Sequence, residues 1–134
     1  TGQNSSVRYF IQPTVFADVN EQMQIGCEEI FGPVQCIMKF KTLDEIIERA
    51  NQNKFGLGAG VLTPNINRAL RFAREVRAGT CWVNCFFVVR PQTPFGGFRM
   101  SGFGREFGEE AMKEYMETKT ISINLKMDNE YLFG

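Results

Sequence analysis

Short apolar runs alternate with amphipathic helical patterns along most of this chain, and this alternation restricts the fold more than any other feature of the sequence. Two β-rich apolar runs come first, at 11–19 and 35–40. Two helical patterns follow, and each is succeeded by another short apolar run, at 61–62 and at 80–83. Strands separated by helices require crossover connections, so the pattern predicts an α/β fold with a parallel sheet and flanking helices.

Two helices are predicted from hydrophobic spacing and from residues that begin or end helices. Thr42 is predicted to cap the first helix, with Glu45 completing a capping box. Thr63-Pro64 is predicted to open the second helix and Gly79 to close it. The predicted buried faces are Leu43, Ile46, Ile47 and Ala50 in the first helix, and Ile66, Ala69, Leu70, Ala73 and Val76 in the second.

The last third of the chain is predicted to be a long loop followed by a helix and a terminal strand. Residues 86–107 contain Pro91, Pro94 and several glycines, and loops of that length in a compact domain are usually functional. A helix is expected at about 109–117, and an alternating pattern at 121–125 indicates a half-buried strand. Because that strand follows a complete unit, we expect it to pair with another sheet or another subunit.

Composition argues against several classes of function. The chain has 15 basic and 15 acidic residues among 134, so it lacks the positive charge that nucleic-acid binding requires. No apolar run approaches the roughly 18 residues of a membrane span. We therefore expect neither a nucleic acid nor a membrane as partner.

Histidine is absent, and four cysteines are present, at positions 27, 36, 81 and 85. No Cys-x-x-Cys pair occurs, so no metal site is expected. A secreted disulfide scaffold of this size would be richer in cysteine, which favours reduced thiols and an intracellular protein. Without histidine, proton transfer depends on carboxylates, thiols or groups outside this chain.

The sequence Glu28-Glu29-Ile30-Phe31-Gly32-Pro33 is the most specific local feature. Two carboxylates, an aromatic residue and a Gly-Pro turn would present one acid and one ring rigidly. A carboxylate can accept both hydroxyls of a ribose while a ring stacks beside it. The alternative is a solvated acidic turn with a core phenylalanine.

This segment resembles the Glu-Glu-x-Phe-Gly-Pro element of aldehyde dehydrogenases, and further motifs match that family in order between about 10 and 123. Within that family the chain resembles the tetrameric group that includes the retinal, betaine-aldehyde and mitochondrial acetaldehyde enzymes. The resemblance implies that residues 1–116 form the C-terminal half of the catalytic domain and that residues 117–134 form an oligomerisation strand and tail. The matching motifs are 10–16, Asn51 with 55–57, 78–80 with 82–84, 94–98, 101–106, and 114–115 with 119–120.

The resemblance also implies roles in binding NAD (or NADP) and an aldehyde. Glu29 would hold the nicotinamide ribose hydroxyls, Phe31 would contact the ribose and the nicotinamide, and Leu57 would touch the nicotinamide ring. Phe95 and Val89 would line the substrate tunnel, where an apolar wall suits a hydrocarbon chain.

Three charged residues have implied roles nearby. Glu106 matches a buried glutamate that relays protons during thioester hydrolysis, although an ion pair with Arg105 or a backbone cap would explain it equally well. Glu117 would bridge to arginines, Arg105 among them, and so link the site to the subunit interface of a homotetramer or homodimer.

The catalytic nucleophile of the family is a cysteine in a Gly-Gln-x-Cys setting, and none of the four cysteines here has it. The sequence is therefore interpreted as the C-terminal portion of an NAD(P)+-dependent aldehyde dehydrogenase that oxidises aldehydes to carboxylic acids, with the nucleophile upstream. We expect the isolated chain to be inactive and the whole protein to be cytoplasmic or mitochondrial. The alternatives are a truncated interaction or regulatory module and a crystallin-like structural protein.

Overall fold

The helices and strands follow the alternation predicted from the sequence. The computed structural model describes residues 9–125 of the 134-residue chain. Four of the five predicted strands form at or next to their predicted places. The first two are shorter than expected, β4 begins three residues earlier than predicted, and three small elements (α1, β3 and β6) were not predicted. In chain order the elements are β1 (Thr14–Phe16), α1 (Gln24–Cys27), β2 (Val34–Cys36), α2 (Leu43–Gln52), β3 (Phe55–Gly56), β4 (Gly58–Val61), α3 (Ile66–Glu75), β5 (Thr80–Val83), β6 (Phe98–Arg99) and a 3₁₀ helix (Glu109–Tyr115).

Two parallel strand pairs confirm the α/β class. β1 pairs with β2, and β4 pairs with β5 in a register that places Gly58 opposite Thr80 and Val61 opposite Val83. β3 pairs antiparallel with β6. Within residues 9–125 the strands form three separate two-stranded sheets. β2 and β4 lie on either side of α2 in the chain, but they do not pair with each other. Hydrophobic spacing shows that strands exist but not which of them are neighbours.

The predicted cap of α2 is confirmed. The Thr42 hydroxyl accepts a hydrogen bond from the Glu45 backbone N–H at 3.2 Å. The Glu45 carboxylate accepts from the Lys41 N–H at 2.8 Å, one residue before the position that a capping box uses. This backbone hydrogen bond is the main reason that the pKa of Glu45 is lowered. The helix therefore begins where its sequence predicts.

The predicted bounds of α3 are wrong, and its predicted face is only partly right, since Ala69 and Val76 are buried as expected. Asn65, not Thr63-Pro64, caps the helix, because its side chain accepts from the Arg68 N–H at 3.1 Å. The helix ends at Glu75 with Val76 in an extended conformation, so Gly79 does not close it. Ile66 and Leu70 are exposed instead of buried, and the face against β4 and β5 is formed by Ala69, Phe72 and Val76.

The core is small for a chain of this length. Its buried cluster consists of Ile47, Phe72 and Val76, with half-buried apolar side chains from α2, β4 and β5 packed against it. Many more large apolar side chains are exposed than buried among the described residues. So much exposed apolar surface indicates a fold that is covered by additional protein.

Side-chain hydrogen bonds to backbone groups connect the ends of the helices. The Asn51 amide at the end of α2 donates to the Glu75 carbonyl at 2.8 Å and accepts from the Arg77 N–H at 2.7 Å. The Arg99 guanidinium on β6 donates to the carbonyls of Asn51, Asn53 and Arg77. These bonds fix α2, α3 and β6 relative to one another.

The predicted C-terminal strand does not form in the described residues. Residues 117–125 carry no helix or strand, and Ile121, Ile123 and Leu125 are 70%, 74% and 89% exposed. A strand requires a neighbour to satisfy its backbone groups, and residues 9–125 provide none at this place. The preceding helix is a 3₁₀ helix, and the end of the predicted tail, 126–134, lies outside the described residues.

Within residues 9–125, no helix combines the length and the apolar composition that crossing a membrane requires.

We expect Gly79→Ala to destabilise the fold by about 3 kcal/mol, the upper end of the usual cost of overpacking. A Cβ at this position would overlap the backbone carbonyl of Gly96, which cannot move aside without shifting the loop. In the matched control, Gly60→Ala, the new methyl group would meet the exposed Phe86 ring at 3.3 Å and the Trp82 carbonyl at an ordinary contact distance of 3.7 Å, and should cost less than about 1 kcal/mol. Urea unfolding measures both, and equal midpoints would contradict the packing argument.

Candidate functional site

The turn between α1 and β2 presents one carboxylate and one ring to solvent. Phe31 is 90% exposed, and Glu29 is exposed with no side-chain hydrogen bond or ion pair within residues 9–125. The neighbouring Glu28 differs, because its carboxylate accepts from the Gln24 side chain at 2.9 Å. Bonds from Val34 N–H to Gly32 and from Thr14 N–H to Pro33 hold the turn against β1. The sequence alternative of a core phenylalanine at position 31 is therefore wrong.

Leu57 lies between β3 and β4 and is 46% exposed. Its carbonyl accepts from the Thr80 N–H at 3.2 Å, which fixes its backbone at the start of the β4–β5 pair. Glu29, Phe31 and Leu57 line neither of the two clefts described below. All three side chains are exposed.

Val89 and Phe95, both predicted to face a substrate, line one cleft of about 210 Å³. The cleft lies where β5 meets the following loop. No charged residue lines it. Its lining residues are Thr80, Cys81, Trp82, Val88, Val89, Thr93, Pro94 and Phe95.

Phe95 is joined directly to Glu106 by an antiparallel backbone bridge. Each N–H donates to the other residue's carbonyl, and both distances are 2.8 Å. The Glu106 side chain is exposed, so the burial expected for it does not occur in this chain. The backbone thus places the predicted proton-relay residue beside the predicted substrate-contacting ring, although the two lie 11 positions apart in the sequence.

The Arg105 side chain forms hydrogen bonds to backbone carbonyls. Its guanidinium donates to the Gly97 and Gly104 carbonyls at 3.1 and 2.6 Å and lies 5.4 Å from the centre of the Phe98 ring. Neither Glu106 nor Glu117 forms an ion pair with it among the described residues, so the structure does not bring together the bridge predicted between Glu117 and Arg105.

An aromatic cluster borders the cleft. The Trp82 ring is buried, and its indole N–H donates to the Val88 carbonyl at 2.9 Å. Phe86 and Phe87 pack against it with ring centres 5.2 and 6.1 Å away, and both remain largely exposed. These two residues therefore cover Trp82 from outside, and neither lines the cleft.

The four cysteines are unpaired, and no group of three or more potential metal ligands occurs within residues 9–125. Cys81 is the one thiol that lines the cleft. Burial raises its pKa, which disfavours the reactive thiolate. Cys27 and Cys85 are exposed.

A second, larger cleft of about 660 Å³ lies beside α2, opposite the β4 strand. Arg49 on its wall pairs with Glu21 and, at 3.0 Å, with Glu45, and donates to the Lys39 carbonyl. Met38, Ile46 and Ala59 contribute apolar surface. Among the charged residues on its wall, Arg49 and Arg99 are bonded to carboxylates or to backbone carbonyls.

Sequence reasoning did not identify Arg99 or the structural use of two asparagines. Arg99 adopts positive φ (55°), which its residue type does not signal. Asn84 accepts from the Thr63 N–H at 2.8 Å and donates to the Thr63 carbonyl at 3.0 Å, which fixes the point where the loop leaves β5. Such contacts link residues about 20 or more positions apart, so no local pattern reveals them.

Comparison with known proteins identifies relatives of nearly the whole chain. The model of the aldehyde dehydrogenase family matches residues 1–121. Over 121 residues, 90% of this chain, the sequence is 57% identical to aldehyde dehydrogenase 1A1 of Gallus gallus and 52% identical to aldehyde dehydrogenase, cytosolic 1, of Rattus norvegicus. Each match covers 24% of the relative, so the chain spans about a quarter of the length of the curated relatives it matches.

Solved structures share the fold as well as the sequence. An aldehyde dehydrogenase from Bacillus cereus, determined as its NAD+ complex, matches with a TM-score of 0.85 and 46% identity. The match covers 88% of this chain and 24% of that one. The arrangement of separated strand pairs therefore corresponds to part of a larger solved fold.

We expect Cys81 to be alkylated by iodoacetamide more slowly than Cys85 at neutral pH, and its rate to rise only above the pH at which an exposed thiol ionises. Burial raises the pKa of the Cys81 thiol, because the folded protein favours its neutral form. The contribution of this thiol to folding stability is therefore fully present below its unfolded-state pKa and is lost as the pH rises through its folded-state pKa. Peptide mapping by mass spectrometry measures each rate. Labelling in urea is the control, and equal rates in the folded protein would refute the expectation.

Proposed function

This chain belongs to the aldehyde dehydrogenase family, and from that premise we propose that it supplies the C-terminal portion of an NAD(P)+-dependent enzyme that oxidises aldehydes to carboxylic acids. The observation that carries the proposal is the shared cleft of Val89 and Phe95, with Glu106 paired to Phe95 at its edge. Residues 1–116 then belong to the catalytic domain, and residues 117–134 to the oligomerisation strand and tail.

The exposed turn before β2 fits a bound dinucleotide. Glu29 has no partner within residues 9–125, so its carboxylate is available to accept two ribose hydroxyls, and the exposed Phe31 ring is available for contact with the ribose and nicotinamide. Leu57 offers apolar contact to the nicotinamide ring. When bound, the cofactor accepts the hydride that the aldehyde carbon loses. The NAD+ complex of the Bacillus cereus relative supports this class of cofactor, and NADP+ is the alternative.

The cleft fits the hydrocarbon part of an aldehyde. Its lining carries no charge, and Phe95 and Val89 contribute apolar wall. Glu106, held beside Phe95 by the backbone bridge, would accept or return a proton during hydrolysis of a thioester, and its closeness to Phe95 supports this role.

The nucleophile is proposed to lie upstream of this chain. Cys81 lines the cleft, but burial raises its pKa and keeps the thiol protonated at neutral pH. No cysteine here stands in a Gly-Gln-x-Cys setting. The thiolate, the general base and the groups that stabilise the oxyanion are therefore assigned to the rest of the enzyme.

The exposed apolar surface supports two proposals. One is that the rest of the catalytic domain covers this chain, and the other is that the protein self-associates. The 660 Å³ cleft has apolar wall that further protein would fill. Ile121, Ile123 and Leu125 alternate with polar residues and are exposed, which suits a strand that pairs in a homotetramer or homodimer. An intracellular location is proposed, either in the cytoplasm or in mitochondria. The name of the cytosolic rat relative supports the cytoplasm.

The same exposed segment favours a second candidate function, a truncated module that acts through association alone. Mass spectrometry of the native polypeptide separates the two. A chain about four times as long as this one supports the enzyme, since each relative is covered to only 24%, whereas a species near 15.3 kDa supports the module.

In the intact enzyme, Glu29→Ala should raise the KM for the dinucleotide about tenfold or more and slow hydride transfer, because hydrogen bonds to a charged group contribute about 1.5–3 kcal/mol. Glu28→Ala is the matched control, since that carboxylate bonds to Gln24. Steady-state kinetics and stopped-flow detection of NAD(P)H measure the effect. Equal effects of the two substitutions would remove Glu29 from the cofactor site.

The isolated 134-residue chain should oxidise no aldehyde and should be poorly soluble. It lacks the nucleophile, and its small core leaves large apolar side chains uncovered. The measurement is aldehyde-dependent NAD(P)H formation by the purified chain, with the intact enzyme as positive control. Detectable turnover by the isolated chain would show that the nucleophile is not upstream.

A further inference from the structure

A tight turn forms one edge of the 210 Å³ cleft. The Thr93 N–H and hydroxyl both donate to the Arg90 carbonyl at 3.0 Å, and Gly108 N–H donates to the Pro91 carbonyl at 2.9 Å. Val89, immediately before the turn, and Thr93, at its end, both line the cleft. Because the turn is closed by its own hydrogen bonds and tied to Gly108, the backbone of Arg90 is held between Val89 and Thr93, two residues that line the cleft.

Arg90 is a charged residue with no partner at an uncharged site. None of the eight residues that line the cleft is charged. Within residues 9–125 the Arg90 guanidinium makes no hydrogen bond or ion pair, and the residue is exposed. By contrast, the guanidinium groups of Arg99 and Arg105, in the same part of the chain, are engaged by backbone carbonyls. The Arg90 side chain, which follows the cleft-lining Val89 in the sequence, is therefore available to bind a ligand.

We propose that Arg90 is a specificity-determining residue that binds a carboxylate at the end of the substrate remote from its aldehyde group. The inference rests on the proposed function, in which the cleft receives the aldehyde. The hydrocarbon chain would lie against Val89 and Phe95, and its terminal carboxylate would meet the guanidinium at the rim. A planar guanidinium binds a carboxylate through two parallel hydrogen bonds, a geometry that lysine does not provide.

An apolar cleft alone discriminates weakly between chain ends. One added or missing methylene changes transition-state binding by only about 1–3 kcal/mol, whereas a site with a polar partner for one group strongly rejects substrates that lack it. Arg90 would thus direct the enzyme towards oxo acids, and the product of its reaction would be a dicarboxylate.

The test uses the full-length enzyme with pentanal and with the oxo acid in which a carboxylate replaces the terminal methyl group of pentanal. Both are assayed by NAD(P)H formation in wild type, Arg90→Gln and Arg90→Lys, with Arg68→Gln on α3 as the control for loss of one exposed arginine far along the chain from the cleft. Arg90→Gln should lower kcat/KM for the oxo acid about tenfold or more, mainly through KM, as expected for a lost charge-assisted contact. Pentanal should be unaffected, Arg90→Lys should recover part of the loss, and added salt should reduce the wild-type preference.

Two results would overturn the inference while leaving the proposed function intact. One is that neither kcat/KM value changes in Arg90→Gln, and the other is that both values fall by the same factor. If the wild-type enzyme oxidises neither aldehyde nor any other aldehyde tried, the proposed function itself fails and the inference fails with it.

Discussion

Hydrogen bonds between three side chains and backbone groups hold this structure together. Asn51 bonds to the backbone at Glu75 and Arg77, Arg99 binds three carbonyls, and Asn84 pairs with both backbone groups of Thr63. Helix ends and strand ends leave N–H and carbonyl groups without partners, and each must be satisfied when it is withdrawn from water. Here those groups are satisfied by residues from distant elements, so the bonds that complete the helices also set their relative positions.

The cleft follows from this framework. Arg99 fixes β6, and the close approach of Gly79 to Gly96 brings the glycine-rich segment against the start of β5. The indole N–H of Trp82 holds the other end of the loop through Val88. The long loop is therefore attached at several points to the α/β unit, and the space between the attachments is lined by its apolar residues. A loop held in this way can present side chains as precisely as a strand does.

The distribution of satisfied and unsatisfied groups is consistent with one part of a larger active site. Structural arginines such as Arg49 and Arg105 are bonded to carboxylates or carbonyls. Glu29, Phe31 and Arg90, which we propose to contact cofactor or substrate, have no such partners within residues 9–125. Exposed charged and aromatic groups cost little in water and become valuable when a ligand or further protein surrounds them.

The sequence by itself determined the features that depend on neighbours a few positions away. The Thr42 cap, the existence of α2 and α3 and the bounds of β5 were predictable, because hydrogen bonding between residues three or four apart and side-chain periodicity are local. Its motifs also identified the family. Only the tertiary structure decided that β2 and β4 stay apart, that Phe72 and not Leu70 faces the core, and that Phe95 lies opposite Glu106. The terminal segment illustrates the same limit: an alternating pattern gives a strand its two faces, but a strand forms only where another strand accepts its hydrogen bonds.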